Sequence, residues 1–186
     1  MSSTTLDPAG PWTFDQLGDL PDDGRRYEVV DGHLVVTPPP SQEHQLVANR
    51  LLRQLLAACP DEWEALSEFA LPLGTDGRVP DLAVVRRHAL PGEAPPHPLG
   101  PAEFGLVVEV TSRSTRKTDL FAKPGEYAEA GIALFWRVER HPELAVHPFR
   151  LGAEGYQPGA VVRGAGGTCP VPWGEVALDL DRIRSG

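Results

Sequence analysis

Two carboxylates stand in stretches that are otherwise apolar. Glu109 sits inside Leu106-Val-Val-Glu-Val110, and Asp81 follows Pro80 directly and heads Leu82-Ala-Val-Val85. A carboxylate in such a run is expensive to desolvate unless a cation or hydrogen bonds compensate. Side chains alternate along a strand, so Val107, Glu109 and Thr111 share one face. Pro80 suits the start of a strand, where no ladder donor is needed from it. One carboxylate from each of two strands suits a hard divalent cation. Mg2+ takes one or two carboxylates at about 2.0–2.1 Å and keeps several waters. Such an ion lowers the pKa of a bound water and neutralises charge on an attacked phosphate. A lysine close by would orient that water or stabilise the developing charge. The pattern points to phosphoryl chemistry assisted by Mg2+ or Mn2+, and neutralising Glu109 is expected to relieve repulsion between the two acids in the metal-free protein. Each acid also has a purely structural reading, Asp81 as a turn cap and Glu109 as a buried ion-pair partner.

The rest of the chain must supply strands that carry these acids and helices that cover them. Thr13-Phe-Asp-Gln-Leu reads as a short helix capped by Thr13. Two β-rich runs flank Asp31-Gly32 and predict a hairpin, which Pro38, Pro39 and Pro40 stop. Ser41 caps the longest helix, with His44 at its N3 position and leucines at helical spacing as far as Cys59-Pro60. Residues 63–71 and 79–85 read as strands around a Gly74-Thr-Asp-Gly77 turn. Residues 86–104 contain five prolines and read as a loop. Residues 104–111 are nearly all apolar, the pattern of a central strand buried on both faces. A helix is predicted over residues 118–130, interrupted by Pro124 and ended by Gly131, followed by a strand over residues 134–138. Residues 143–180 read as antiparallel strands with Gly and Pro turns, and Asp179-Leu-Asp-Arg-Ile as a short terminal helix. The order predicts an α/β fold with one mixed sheet and helices packed on it.

The 186 residues fit one domain, placed at residues 12–180 with flexible termini at 1–11 and 181–186, and 41% hydrophobic residues suffice for one core. No apolar stretch nears the roughly 20 residues that span a membrane. Residues 1–30 lack the apolar run of a secretory signal, so a cytoplasmic location is expected. Cys59 and Cys169 are isolated and cannot build a zinc site. The net charge of −9 argues against broad electrostatic adhesion to nucleic acid. That charge is uneven. Between Arg78 and Lys123, seven bases outweigh five acids, and the remainder carries ten bases against 21 acids. Any phosphate-facing surface is therefore expected in the middle of the chain.

Pro80-Asp81 and Glu109-Val110-Thr111 resemble the PD-(D/E)XK superfamily of metal-dependent nucleases. Within it the chain is similar to the large bacterial family of restriction-endonuclease-like proteins called the Uma family. The resemblance spans about Trp12 to Val138 and rests on several segments in order: Tyr27-Glu-Val-Val-Asp-Gly-His-Leu, Pro40-Ser-Gln-Glu-His44, Val79-Pro-Asp-Leu-Ala-Val-Val, Val107-Val-Glu-Val-Thr, and the run from Lys123-Pro-Gly-Glu-Tyr to Phe135-Trp-Arg-Val. It implies a restriction-endonuclease-like three-layer core with a central mixed sheet flanked by helices and an N-terminal hairpin. It also implies Asp81 and Glu109 as metal ligands, with Lys123 as the catalytic lysine. The superfamily pattern places that lysine two residues after the glutamate, where this chain has Thr111. Lys123 also shares a helix face with Leu120 and Tyr127, the face that should pack on the sheet. A lysine there could equally snorkel to solvent. Glu28 resembles the family's hairpin glutamate and joins the catalytic set, His44 either contacts the site or only opens its helix, and Tyr127 and Phe135 read as core. His33 stands where the family commonly has a glutamate.

Arg113, Arg116 and Lys117 follow Glu109 and could grip a phosphate backbone. The implied activity is a metal-dependent endonuclease acting on nucleic acid, DNA in the first instance, with no membrane role and a homodimer that lets both strands be cut. The alternatives are a nuclease-fold protein that binds nucleic acid or a partner without cutting, and a hydrolase of a small phosphorylated molecule.

Overall fold

The computed structural model of the protein describes residues 10–90, 92, 99–111 and 122–185. It forms two compact units, Met1–Pro39 with Ala70–Val79, and Pro40–Phe69 with Pro80–Gly186.

The first unit is a four-stranded sheet in the order β2-β1-β5-β4, built from β1 (Arg26–Val30), β2 (His33–Thr37), β4 (Leu71–Leu73) and β5 (Asp76–Arg78), the strands being numbered along the chain. Asp31 and Gly32 both have positive φ, 50° and 72°, as a two-residue turn between right-twisted strands requires. The Asp76 carboxylate takes the Asp31 amide at 2.7 Å, so the turn is tied to the neighbouring strand. Phe14–Asp19 is a 3₁₀ turn entered at Thr13, whose amide donates to Gln16 Oε1 at 2.8 Å.

The second unit holds a seven-stranded mixed sheet. Its order is β10 (Gly155–Pro158), β9 (Ala145–Gly152), β8 (Leu134–Glu139), β7 (Phe104–Val110), β6 (Leu82–Arg86), β3 (Trp63–Ser67), with β11 (Val162–Arg163) also paired to β9. Only β7 and β8 run parallel among these strands; the other pairs are antiparallel. A separate hairpin joins β12 (Ala165–Val171) and β13 (Gly174–Asp179). All seven residues of β7 are buried, as its continuous apolar run predicted.

Helix α1 (Gln42–Ala58) covers one face of this sheet. Val47, Leu51 and Leu55 cluster there with Leu106, Val108 and Val110 of β7 and with Trp136 and Val138 of β8. Helix α2 (Lys123–Glu129) lies on the other face. Its Tyr127 ring sits 5.9 Å from Phe135, which shares a sheet face with Val107 and Glu109. Helix, sheet and helix make the three layers that the resemblance implies.

Several elements differ from the sequence reading. The strand expected over residues 63–71 is two, β3 and β4, because Glu68 adopts a left-handed φ of 49° between them. The loop at residues 86–104 contains short 3₁₀ turns at Arg87–Ala89 and Pro101–Glu103. The described part of the second helix starts at Lys123, with Pro124 in its first turn, where the missing amide costs nothing. Residues 181–185, read as part of a flexible end, belong to α3 (Leu180–Ser185), which buries Leu180 and Ile183.

Candidate functional site

Four elements of the larger unit, α1, β6, β7 and α2, bring the charged residues in. Ser41 Oγ accepts the His44 amide at 3.3 Å, which fixes the first turn of α1 and carries the His44 ring inward to 7% exposure. Asp81 is the last residue before β6. Leu82 of β6 pairs with Val108 of β7, so Asp81 stands one residue beyond the end of that ladder. The Asp81 main chain is held where its carbonyl accepts the Glu68 amide at 3.1 Å.

The Asp81 carboxylate is buried and accepts two hydrogen bonds on the same oxygen. Oδ2 takes the Val110 amide at 2.7 Å and lies 3.0 Å from His44 Nε2. The side chain thus supplies an acceptor to β7 beyond the end of the β6 ladder. The other ring nitrogen of His44, Nδ1, is buried with no hydrogen-bond partner among the described residues.

Glu109 is 1% exposed. Its Oε1 accepts from Lys123 Nζ at 2.9 Å and from the Tyr127 hydroxyl at 2.6 Å. Lys123 and Tyr127 are four residues apart and so lie on the same face of α2. Both are buried, Tyr127 completely. The packing face predicted for Lys123 is therefore the one it uses, and its ammonium meets a carboxylate rather than solvent.

Two buried polar sets result: Asp81 with His44 and the Val110 amide, and Glu109 with Lys123 and Tyr127. For His44 the sequence signal is a capped first turn. Tyr127 has the sequence pattern of plain core, marked by its place four residues after Lys123.

Glu28 belongs to the smaller unit. It is buried there, accepts from Arg78 Nη1 at 3.2 Å on one oxygen and from the Val79 amide at 2.9 Å on the other, and so ties β1 to the end of β5. Arg113, Arg116 and Lys117 lie outside the described residues.

Two carboxylates are donors of the type Mg2+ prefers. Among the described residues, no three of the His, Cys, Asp and Glu side chains form a group able to hold a metal ion. Any ion here would have to rest on those two carboxylates with water and substrate oxygens around it, not in a closed protein cage such as a structural zinc site.

Residues 14–169 match the profile of the Uma2 family, described as “Putative restriction endonuclease”. No curated protein matches the chain. Among solved structures, the chain is similar to “a putative nuclease belonging to DUF820 from Anabaena variabilis”, with a TM-score of 0.73 and 18% identity over 94% of this chain and 98% of that one. At that identity the likeness establishes the fold, here a nuclease-like mixed α/β fold. With a family profile matched over most of its length, from Phe14 to Cys169, the chain belongs to the Uma2 family of restriction-endonuclease-like proteins.

Proposed function

We propose that the protein is a metal-dependent endonuclease that hydrolyses phosphodiester bonds of nucleic acid, with DNA as the substrate. The observation that carries this reading is the pair of buried polar sets on β6 and β7: Asp81 held by His44 and the Val110 amide, and Glu109 held by Lys123 and Tyr127.

Asp81 and Glu109 would hold Mg2+ or Mn2+. Such an ion, when bound, supplies charge neutralisation at the phosphate and a water of lowered pKa. The chain's own residues do the positioning. His44 and the Val110 amide both engage Asp81 Oδ2, which fixes the plane of that carboxylate before any substrate arrives. Tyr127 and Lys123 do the same for Glu109 through Oε1. The Lys123 ammonium is poised to turn from Glu109 toward charge that develops on a phosphate. Its contribution is then felt in the rate more than in binding.

The test is cleavage of supercoiled plasmid and of a single-stranded oligonucleotide with Mg2+ or Mn2+, using wild type, Glu109→Gln and Lys123→Ala. Wild type should cut. Glu109→Gln should abolish cutting together with the metal-induced rise in melting temperature. That rise is about 2.7 kcal/mol of stabilisation at a hundred times Kd. Lys123→Ala should lose about 10²–10³ in rate, the scale seen when one transition-state donor is removed. Wild type that cuts neither substrate with either metal would end the reading.

One observation favours a second reading. Glu109 Oε1 already has two donors, and an ion pair so completed can be purely structural. With a net charge of −9, a protein that binds nucleic acid or a partner without cutting is the corresponding function. It requires oligonucleotide binding that Mg2+ neither promotes nor follows with cleavage.

A further inference from the structure

The polar residues on the α2 face of the large sheet continue beyond the carboxylate site. Glu109 on β7 is the register partner of Arg137 on β8, and Arg137 that of His147 on β9. Adjacent strands lie about 4.8 Å apart and register partners present their side chains to the same face. Arg137 therefore enters this face one strand away from Glu109. Its neighbours before and after on that face are Phe135 and Glu139.

The Arg137 guanidinium is fixed from two sides. Nε donates to Glu139 Oε1 at 3.1 Å, and Cζ lies 5.3 Å from the centre of the Phe149 ring. Glu139 is in turn flanked by His147, whose Nε2 is 3.6 Å from Glu139 Oε2. These contacts use one nitrogen and one face of the guanidinium. Among the described residues, Nε to Glu139 is the hydrogen bond this guanidinium donates, and the side chain is 17% exposed. A guanidinium anchored at Nε and set over an aromatic ring, with its terminal nitrogens still able to donate, can take phosphate in a bidentate grip. Holding the side chain in place beforehand also removes part of the ordering cost of binding.

We propose that Arg137 binds a non-scissile phosphate of the nucleic-acid backbone and so sets how the strand lies across the Asp81–Glu109–Lys123 site. The inference rests on the nuclease reading and adds a substrate contact to it. Glu139 and Phe149 are positioning residues for this arginine. A nearby acid would weaken a diffuse positive patch, whereas it serves a single oriented fork by holding Nε.

The probes are labelled single-stranded and duplex oligonucleotides, bound in EDTA and followed by anisotropy across a salt series, with inorganic phosphate as competitor. Arg137→Ala should weaken oligonucleotide binding about tenfold or more, the scale of a hydrogen bond to a charged group. It should also lower the slope of log affinity against log salt by roughly 0.7–0.9, one phosphate contact. Arg137→Lys should restore the slope and not the affinity, because a point charge lacks the fork. With metal present, the change should fall on KM and leave kcat largely intact. Should Arg137→Ala melt well below wild type, Arg137→Lys and Arg137→Gln carry the comparison.

A folded Arg137→Ala with wild-type affinity and salt slope overturns the proposal and leaves an ordinary ion pair with Glu139. In that case, loss of cutting in Glu109→Gln still upholds the nuclease reading. A variant that loses only its response to inorganic phosphate would show a small-anion site, and that too overturns the assignment. Wild type that neither binds nor cuts any oligonucleotide removes the nuclease reading and this contact together.

Discussion

The two faces of the seven-stranded sheet are buried by different chemistry. On the α1 face, Leu106, Val108 and Val110 of β7 meet Leu51 and Leu55 through hydrocarbon alone. On the α2 face the same strand presents Val107 and Glu109, and α2 answers with Lys123 and Tyr127. Both faces exclude water, yet only the first gains stability simply from area removed from solvent. The second offsets the desolvation of a carboxylate and an ammonium with an ion pair and a hydroxyl, an arrangement that apolar residues of similar volume could match or exceed in stability. A fold selected for stability alone has no use for that choice. The α1 face is held by apolar contact, and the α2 face holds a charged pair out of water.

The largest expected effect is on the apolar face. Trp136 is fully buried in the α1-side cluster, and its indole donates to the Pro170 carbonyl at 3.0 Å. Trp136→Ala should cost about 3–5 kcal/mol in urea unfolding. At matched folding, oligonucleotide affinity should be unchanged. A loss below about 1 kcal/mol would mean that this face is not the main source of stability.

Next comes the ion pair. Lys123→Met strands the Glu109 carboxylate and should cost about 3 kcal/mol, the lower end for breaking a buried pair, because Tyr127 still donates. Replacing both partners, Lys123→Met with Glu109→Leu, should recover most of that loss. A double-mutant cycle reads the coupling directly, and additive losses would show two independent residues. The same geometry changes one expectation. From sequence, neutralising Glu109 should relieve repulsion between two acids. With Lys123 and Tyr127 both donating to Glu109, Glu109→Gln exchanges the charged acceptor of both bonds for a neutral one, so the metal-free variant should melt below wild type.

Why was so much of this site legible beforehand, and Arg137 not? Glu109 and Asp81 announced themselves because a charge inside an apolar run has few structural excuses. Ser41 marked the start of α1, and Asp31-Gly32 the hairpin, through local rules that need only a few neighbouring residues. Lys123 came from the family resemblance, and helical spacing with Tyr127 supported it. Tyr127 was hidden because an aromatic on a packing face is ordinarily core, and its hydroxyl partner lies 18 residues away on another element. Arg137 was hidden more deeply. Leu134-Phe-Trp-Arg-Val-Glu139 reads as a plain strand, and only the parallel register between β7 and β8 sets Arg137 beside Glu109. Register between strands joined by a long crossover is a tertiary property that no window of sequence contains. Glu28 is a different case: a family likeness suggested catalysis, and the partners described for it, Arg78 and the Val79 amide, tie β1 to the end of β5.

A smaller effect isolates the hydroxyl. Tyr127→Phe keeps the ring beside Phe135 and removes only the donor to Glu109. The loss should be about 1.5 kcal/mol, the low end for a hydrogen bond to a charged group. If the carboxylate is held for catalysis as well as stability, Tyr127→Phe should also weaken Mn2+-induced stabilisation. A variant less stable but unchanged in its metal response would confine Tyr127 to packing.

The smallest effect lies at the outer end of the polar row. His147 is partly buried, and burial pushes its pKa below the ordinary 6.5; Arg137 and Arg163 push it the same way, while Glu139 opposes them. A histidine whose folded pKa lies below its unfolded value favours the neutral form in the folded protein. Its stabilising contribution is present above the unfolded pKa and is lost as the pH falls through the folded pKa. Wild type should therefore lose stability between about pH 7 and pH 5 more steeply than His147→Gln, which has no proton to take up. The difference should be shallow, because the ring is only partly removed from water. An NMR titration of the His147 ring sharpens the point. Arg137→Ala removes one of the positive charges that depress it, so the midpoint should move up toward the ordinary value. A midpoint indifferent to Arg137 would mean that the guanidinium is too far away, or too well screened by Glu139, to act on its neighbour. That outcome would also weaken the case that its charge reaches a phosphate on the same face.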